Sequence, residues 1–219
     1  MSPTPEPPPR RAARLDVSRE TQERLDTYLA LLQRWNATHN LVSRADTGDL
    51  WRRHVLDSLQ LLPLAPPAAA GWLDLGSGAG FPGLVVAIAA AERRPGTVVD
   101  LIESSHRKSA FLRAAIAATK APARVHTVRV EDALDDWQAP VDILTSRALA
   151  PLDQLLAWCG PLVGGHTRAL FHKGANYRDE VAAARQRWRF DMIEHASLTD
   201  PSARILEITD VSPDRIATR

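Results

Sequence analysis

Cysteine is nearly absent from this chain of 219 residues, in which Cys159 is the only one. An internal disulfide is therefore excluded, and so is a zinc site built from several cysteines. The formal net charge is only +1 at pH 7. The protein as a whole then attracts a polyanion weakly, and any contact with nucleic acid must come from local basic patches. The single cysteine and the lack of a possible internal disulfide favour a reducing, cytoplasmic location.

The N-terminal stretch lacks any long apolar run. Residues 1–16 are rich in proline and include Arg10, Arg11 and Arg14, which predicts a flexible tail rather than a signal peptide or a membrane span. We expect a helical cap over residues 17–68. A single α/β domain over residues 69–219 should follow and form one compact unit with the cap.

The stretch WLDLGSGAGFPG, residues 72–83, carries the most information. It is typical of a buried strand, a three-glycine turn and the start of a helix. Gly76, Gly78 and Gly80 alternate along the turn, where glycine allows a positive φ and lets a ligand approach the backbone without a Cβ in the way. The N-terminus of the next helix would point at that ligand. The pattern predicts the first loop of a nucleotide-binding α/β fold.

The glycine spacing distinguishes between cofactors. The dinucleotide pattern G-x-G-x-x-G would need glycine where Phe81 stands, which argues against a dehydrogenase. The spacing from Asp74 to Gly80 is D-x-G-x-G-x-G, which resembles motif I of the class I S-adenosylmethionine (SAM) methyltransferases. Glu103 ends the next predicted strand, 27 residues beyond Gly76, where its two oxygens can accept hydrogen bonds from both ribose hydroxyls.

The remaining hydrophobic pattern predicts the architecture. Apolar residues recur at helical spacing over about 18–37 and 47–62, which predicts the two helices of the cap. From residue 71 onward, strands and helices alternate, which favours a parallel sheet covered on both faces. We predict strands near residues 71–76, 97–103, 124–130, 141–145, 167–172, 189–195 and 203–209. The fold class is thus α/β, a Rossmann-like class I methyltransferase fold with a seven-stranded, mostly parallel sheet and a C-terminal antiparallel hairpin.

Short segments outside the glycine loop add a more specific signal. They are NLVS (40–43), HVLDS (54–58), RKSAFL (107–112), RVE (129–131), SRA (146–148) and KG (173–174). Their order and spacing, from about residue 35 to the end, resemble the ribosomal small-subunit methyltransferase G family, also called glucose-inhibited division protein B.

The resemblance implies both a reaction and a set of site residues. The family transfers a methyl group from SAM to N7 of one guanine in 16S ribosomal RNA, so the 30S subunit is the expected partner. Gly76 and Phe81 would line the SAM site, and Val130 and Glu131 would lie beside the adenine. Arg147 would lie at the methyl-transfer end.

Three basic residues are the catalytic candidates. Arg147 closes a predicted strand, where its guanidinium can hold a phosphate or the guanine edge, with a salt bridge to Asp142 as the structural alternative. Lys173 also closes a strand and is predicted to contact RNA phosphate, unless it is simply solvated. Arg129 either orients Glu131 or contacts the ligand directly.

The reaction implied by the resemblance needs few catalytic groups. Guanine N7 has a free lone pair, so no general base and no metal is required, and catalysis reduces to alignment and electrostatics. Asp74 either binds the methionine amine of SAM or caps the turn. Two alternatives remain: a SAM enzyme acting on a small molecule, and a ribosome-binding protein without activity. The glycine loop and Glu103 argue against the second, and no feature indicates an obligate dimer, so we expect a monomer.

Overall fold

The computed structural model describes residues 17–42 and 49–214, so the predicted tail over residues 1–16 lies outside the described part of the chain. Within the described residues, seven strands form one sheet in the order β3-β2-β1-β4-β5-β7-β6. The strands are β1 Gly71–Leu75, β2 Val98–Ile102, β3 Ala123–His126, β4 Ile143–Arg147, β5 Arg168–Lys173, β6 Trp188–Ala196 and β7 Arg204–Pro213.

Strand direction confirms the predicted fold class. Strands β1 to β5 pair in parallel, and β7 pairs antiparallel with both β5 and β6. The sheet is therefore the seven-stranded, mostly parallel sheet with a closing antiparallel hairpin. One boundary is corrected: β3 ends at His126, opposite Ile102 at the end of β2, and not at residue 130.

Helices cover both faces of this sheet. They are α1 Arg19–His39, α2 Asp57–Leu59, α3 Gly83–Arg93, α4 His106–Thr119, α5 Val130–Asp135, α6 Leu152–Cys159 and α7 Tyr177–Ala184. No helix among the described residues is long and apolar enough to span a bilayer.

Helix α1 forms as its sequence predicts. The Ser18 side chain accepts a hydrogen bond from the Thr21 N–H at 3.1 Å and so caps the first turn. Leu25, Tyr28 and Leu32 are buried on one face, and they join the same hydrophobic cluster as sheet residues such as Trp72. The cap and the sheet therefore share a core.

The second cap helix differs from the expected α-helix over residues 47–62. Residues Trp51–Leu56 form a π-helix that leads directly into the single turn α2, and a 3₁₀ turn follows at Leu62–Leu64. The wider π-helical turn is a rare geometry that concentrates at functional sites. Here this segment brings His54 and Asp57 to the end of β4.

Side-chain alternation along β1 sets the two faces of the sheet. Trp72 joins the cluster under the cap and α3, whereas Leu73 and Leu75 join the cluster under α6 and α7. Asp74 shares the face of Trp72 and is completely buried. A carboxyl group is thus placed inside the fold, directly below the glycine loop.

Candidate active site

The glycine loop follows β1 and has the backbone that the sequence predicts. Gly76 and Gly78 have φ values of +67° and +58°, in the left-handed region where glycine is unstrained. A Cβ on Gly76 would lie 2.5 Å from Leu149 Cδ1, so this backbone packs closely on the chain after β4. A Cβ on Gly78 would approach only the Gly76 carbonyl oxygen, at 3.8 Å, so the loop is open on that side.

Asp74 ties the loop to the sheet. Its Oδ1 accepts a hydrogen bond from Thr145 Oγ1 at 2.7 Å, and its Oδ2 accepts one from the Gly83 N–H at 3.2 Å, in the first turn of α3. Burial raises the pKa of Asp74 to about 6, against the smaller opposing effect of these hydrogen bonds. Both oxygens are engaged inside the fold, which favours the capping role over contact with a methionine amine.

Glu103 directly follows β2, one residue beyond the observed strand end, and its carboxylate reaches the glycine loop. Its Oε2 accepts from the Gly78 N–H at 2.8 Å, and its Oε1 accepts from the Ser105 N–H at 2.7 Å. Each oxygen therefore retains a second acceptor position. Two backbone donors hold the carboxylate in a fixed orientation beside the loop.

A first cavity of about 290 Å³ opens beside Glu103. We call it the loop cavity, and its lining includes Gly76, Ile102, Glu103, Lys108, Arg129, Val130, Glu131, Ala148 and Leu149. The structure thus brings together Gly76, Glu103 and the 129–131 segment. Gly80 packs instead towards the cap, because a Cβ there would lie 3.1 Å from the Tyr28 hydroxyl.

The 129–131 segment is not the end of the third strand, which corrects the sequence-based placement. Val130 and Glu131 begin helix α5, and Arg129 is its N-cap. Arg129 Nε donates to Glu131 Oε1 at 2.8 Å, so one side chain orients the other, as one of the two expectations had it. A hydrogen bond within Glu131 and then the Arg129 side chain hold the pKa of Glu131 below its usual range.

Arg147 ends β4, and its side chain reaches the cap. Its Nη1 donates to the Arg53 carbonyl oxygen at 3.1 Å and to Asp57 Oδ2 at 3.2 Å, while its Nη2 lies 2.8 Å from His54 Nδ1. The partner is therefore Asp57 and not Asp142, whose carboxylate accepts from the backbone at the start of β1.

Phe81 lies beneath this cluster and does not line the loop cavity. Its ring stacks on His54 with 4.6 Å between ring centroids, and the Arg147 guanidinium carbon lies 5.2 Å from its centroid. Phe81 is 5% exposed. An aromatic platform at this position thus supports the guanidinium rather than meeting a ligand directly.

A second cavity of about 380 Å³ adjoins the first. We call it the strand-end cavity, and its lining includes Asp57, Arg147, Ala148, Leu149, His172, Lys173, Gly174 and Glu180. Ala148 and Leu149 line both cavities, which therefore adjoin at these two residues. Ala148 has a φ of 53°, an uncommon conformation for a residue with a Cβ.

Lys173 lies at the end of β5, but its ammonium group is already engaged. Nζ donates to the Ala150 carbonyl oxygen at 2.8 Å and to Glu180 Oε2 at 2.7 Å. The side chain is only 6% exposed. This geometry favours an internal role over direct contact with an RNA phosphate.

Sequence reasoning missed His172 and Glu180, two polar residues of the strand-end cavity. Asp57, which lines this cavity, and His54, which contacts Arg147, stand in the segment 54–58 that carried the family resemblance. His172 donates from Nε2 to the Asp57 carbonyl oxygen at 2.9 Å, and burial lowers its pKa. Glu180 lies on α7, in a stretch that no motif marked.

Two features of the described residues concern metal-ligating and nucleophilic side chains. Among these residues, no three His, Cys, Asp or Glu side chains are grouped to hold a metal ion. Burial raises the pKa of Cys159 to about 12, which keeps the thiol protonated.

The strand order, the glycine loop and the acidic residue directly after β2 define the class I methyltransferase type of Rossmann-like fold. Solved structures agree: the O-methyltransferase from Bacillus cereus in complex with SAH has a TM-score of 0.60 at 14% identity, over 84% of this chain and 91% of that one. The fibrillarin/Nop5p complex gives 0.55 at 11% identity, over 72% and 81%.

The family assignment rests on sequence comparison. The sequence model of the GidB family, rRNA small subunit methyltransferase G, matches residues 21–208, and the chain belongs to this family. Ribosomal RNA small subunit methyltransferase G of Methylobacterium sp. (strain 4-46) is 50% identical over 200 residues, covering 91% of this chain and 93% of the relative. The protein of the same description from Parvibaculum lavamentivorans is 48% identical over 197 residues, covering 90% and 86%.

The buried Asp74 gives a testable pH dependence. Its pKa is raised in the folded state, so the folded protein binds this proton more tightly and the contribution of Asp74 to stability falls as pH rises. The Asp74→Asn variant lacks this titration. Between about pH 4 and pH 6.5, the free energy of unfolding of this variant should therefore rise relative to that of the wild type by about 2 kcal/mol, and the difference should level off above this range.

Urea unfolding of both proteins across this pH range measures the difference. Asp179→Asn removes an exposed carboxylate and should show no comparable trend. A difference between Asp74→Asn and the wild type that does not change with pH would contradict the raised pKa.

Proposed function

We propose that this chain transfers a methyl group from SAM to N7 of a guanine in 16S ribosomal RNA. The observation that carries the proposal is the pair of adjoining cavities, one beside the glycine loop and Glu103, the other beside Arg147. Family membership supports the choice of substrate, since the matched family is described as acting on small-subunit rRNA.

The residues of the loop cavity fit SAM. Glu103 is held by two backbone donors with acceptor positions left for ribose hydroxyls, and Ile102 and Val130 supply apolar walls for an adenine ring. Gly78 leaves the loop backbone open to a close approach. When bound, SAM supplies an electrophilic methyl group on a sulfonium.

The proposed transfer needs positioning more than proton chemistry. The N7 lone pair forms the new bond to the methyl carbon while the sulfur–carbon bond breaks and its electron pair stays on sulfur. No proton has to leave N7 first, so no base is assigned. Arg147, supported by Phe81, Asp57 and His54, orients the substrate beside the residues that both cavities share.

We further propose the form of the RNA substrate, the cellular location and the oligomeric state. The substrate is 16S rRNA in the 30S subunit or an assembly intermediate, and the protein acts in the cytoplasm as a monomer. The cap and the α/β domain work as one unit, a proposal that their common hydrophobic cluster supports. Among the other proposed site residues, Gly76 and Glu131 flank the cofactor, and Arg129 and Lys173 orient neighbouring carboxylates.

The first experiment incubates the protein with methyl-labelled SAM and 30S subunits from cells that lack it. We expect label in 16S rRNA, recovered as a single 7-methylguanosine after nuclease digestion. Subunits from cells that contain the protein serve as the control and should accept little label. Transfer to a small molecule alone would overturn the RNA assignment, and absence of SAM binding would overturn the enzymatic one.

Gly78→Val tests the cofactor loop. A β-branched residue at this positive φ is strained and places methyl groups in the open side of the loop, so SAM affinity should fall by roughly 100-fold or more. Isothermal calorimetry measures the affinity. Gly165→Val is the matched control because Gly165 also has a positive φ, +62°, and open space around it, yet lies just before β5 and not in the glycine loop. Equal SAM affinity in the two folded variants would contradict the assignment.

Arg147→Ala tests whether the strand-end cavity serves methyl transfer while the loop cavity binds SAM. Arg147 lines the strand-end cavity and not the loop cavity, so methyl transfer should fall by roughly 10- to 100-fold while the dissociation constant of SAM changes by less than about threefold. Arg124→Ala, an exposed arginine on β3, is the control. Equal losses of transfer and of SAM binding would instead move Arg147 into the cofactor site.

A further inference from the structure

We propose that the strand-end cavity receives the target guanine base, and that the Glu180 carboxylate recognises the N1–H and N2–H donors of that base. The inference rests on the proposed function and names the residue that selects guanine within it. Glu180 stands outside the glycine loop, the 129–131 segment and the Arg147 cluster.

The strand-end cavity adjoins the loop cavity and is large enough for a base. It shares the lining residues Ala148 and Leu149 with the loop cavity, so a base in one would lie next to a cofactor in the other. Its volume of about 380 Å³ lies within the range of small-molecule sites and admits a flipped base. The acceptor atom and the methyl donor would therefore approach each other where both cavities border Ala148 and Leu149.

Hydrogen bonds hold one oxygen of the Glu180 carboxylate in place. Its Oε2 accepts from the Leu152 N–H at 2.9 Å and from Lys173 Nζ at 2.7 Å, and Lys173 is in turn held by the Ala150 carbonyl oxygen. Within the described residues, no partner is found for Oε1. The side chain remains 29% exposed at the cavity. One oxygen thus fixes the carboxylate, and the other is available to a ligand.

The hydrogen-bond donors of guanine match the acceptors of a carboxylate. Guanine presents two adjacent donors, N1–H and the N2 amino group, and a carboxylate offers acceptors to both. Adenine presents an unprotonated N1 acceptor there, which would face the negative charge of Glu180 without a proton between them. This contact reads the Watson–Crick edge of a flipped base and leaves N7, on the opposite edge, free for the methyl group.

The same contact would grow stronger during the reaction. Methyl transfer leaves a positive charge on the guanine ring system, which makes N1–H and the amino group better donors. A carboxylate fixed on that edge then interacts more strongly with the transition state than with the substrate. Glu180 should therefore affect kcat as well as KM.

A double substitution in enzyme and substrate tests the proposal. The substrates are 30S subunits assembled on 16S rRNA with guanosine or inosine at the methylated position, since inosine lacks only the N2 amino group. For the wild type, inosine should lower kcat/KM by roughly 10-fold, as a lost bond to a charged partner predicts. For Glu180→Gln, kcat/KM on guanosine should fall by a similar factor or more, and inosine should cause little further loss.

Two further variants keep the result interpretable. Asp179→Asn, one residue away and exposed, should retain the wild-type response to inosine. Glu180→Asp keeps a negative charge near Lys173 but withdraws the carboxylate, so it makes the same test if Glu180→Gln does not fold, as judged by circular dichroism and SAM binding. An undiminished inosine effect in a folded Glu180 variant would overturn the inference. Absence of transfer from the wild type to guanosine would instead overturn the proposed function itself.

Discussion

The buried carboxyl group of Asp74 holds the glycine loop in place, and the rest of the site depends on the path of that loop. Asp74 joins β4 through Thr145 to the first turn of α3 through the Gly83 N–H, so the loop between them is tethered at its base. Glu103 then fixes the middle of the loop through the Gly78 N–H. Burying a carboxyl group is unfavourable unless it is hydrogen bonded. Its presence here is explained by this tether, which keeps the cofactor side of the loop in one conformation before any ligand binds.

A second set of contacts joins the cap to the other end of the site. Asp57 accepts from Arg147, from Gln60 and from Thr199, and so connects α2, β4 and the turn of the C-terminal hairpin. Arg147 and Thr199 come from distant parts of the chain, and the side chain of Asp57 is largely buried. Removing one member of such a network leaves other buried polar groups without a partner. The strand-end cavity is therefore shaped by the whole chain and not by the sheet alone.

Much of the fold was predictable, because alternating strands, the glycine spacing and Glu103 are patterns within short windows. The wrong boundary of β3 has the same origin: Val128 and Val130 continue an extended-looking pattern, but β2 ends at Ile102 and offers no further partner, so α5 begins instead. The partner of Arg147 was not predictable, since Asp57 lies 90 residues away and is brought near by a π-helical turn that hydrophobic periodicity does not signal. The position of Lys173 at a strand end was predicted. Its hydrogen bond to Glu180 was not, because that contact depends on how α7 packs.

Tyr28 extends the consequences of cofactor binding to the far side of the cap. Its hydroxyl donates to the Ala79 carbonyl oxygen at 2.6 Å, inside the glycine loop, and its ring packs 5.5 Å from that of Phe81. Helix α1 is thus docked on the backbone of the glycine loop, which we propose to meet the cofactor. A ligand that stabilises the loop also suppresses the local opening of α1, by mass action. The amide hydrogens around Tyr28 should then exchange more slowly with solvent when the cofactor is present, so α1 reports on the occupancy of a cavity that it does not line.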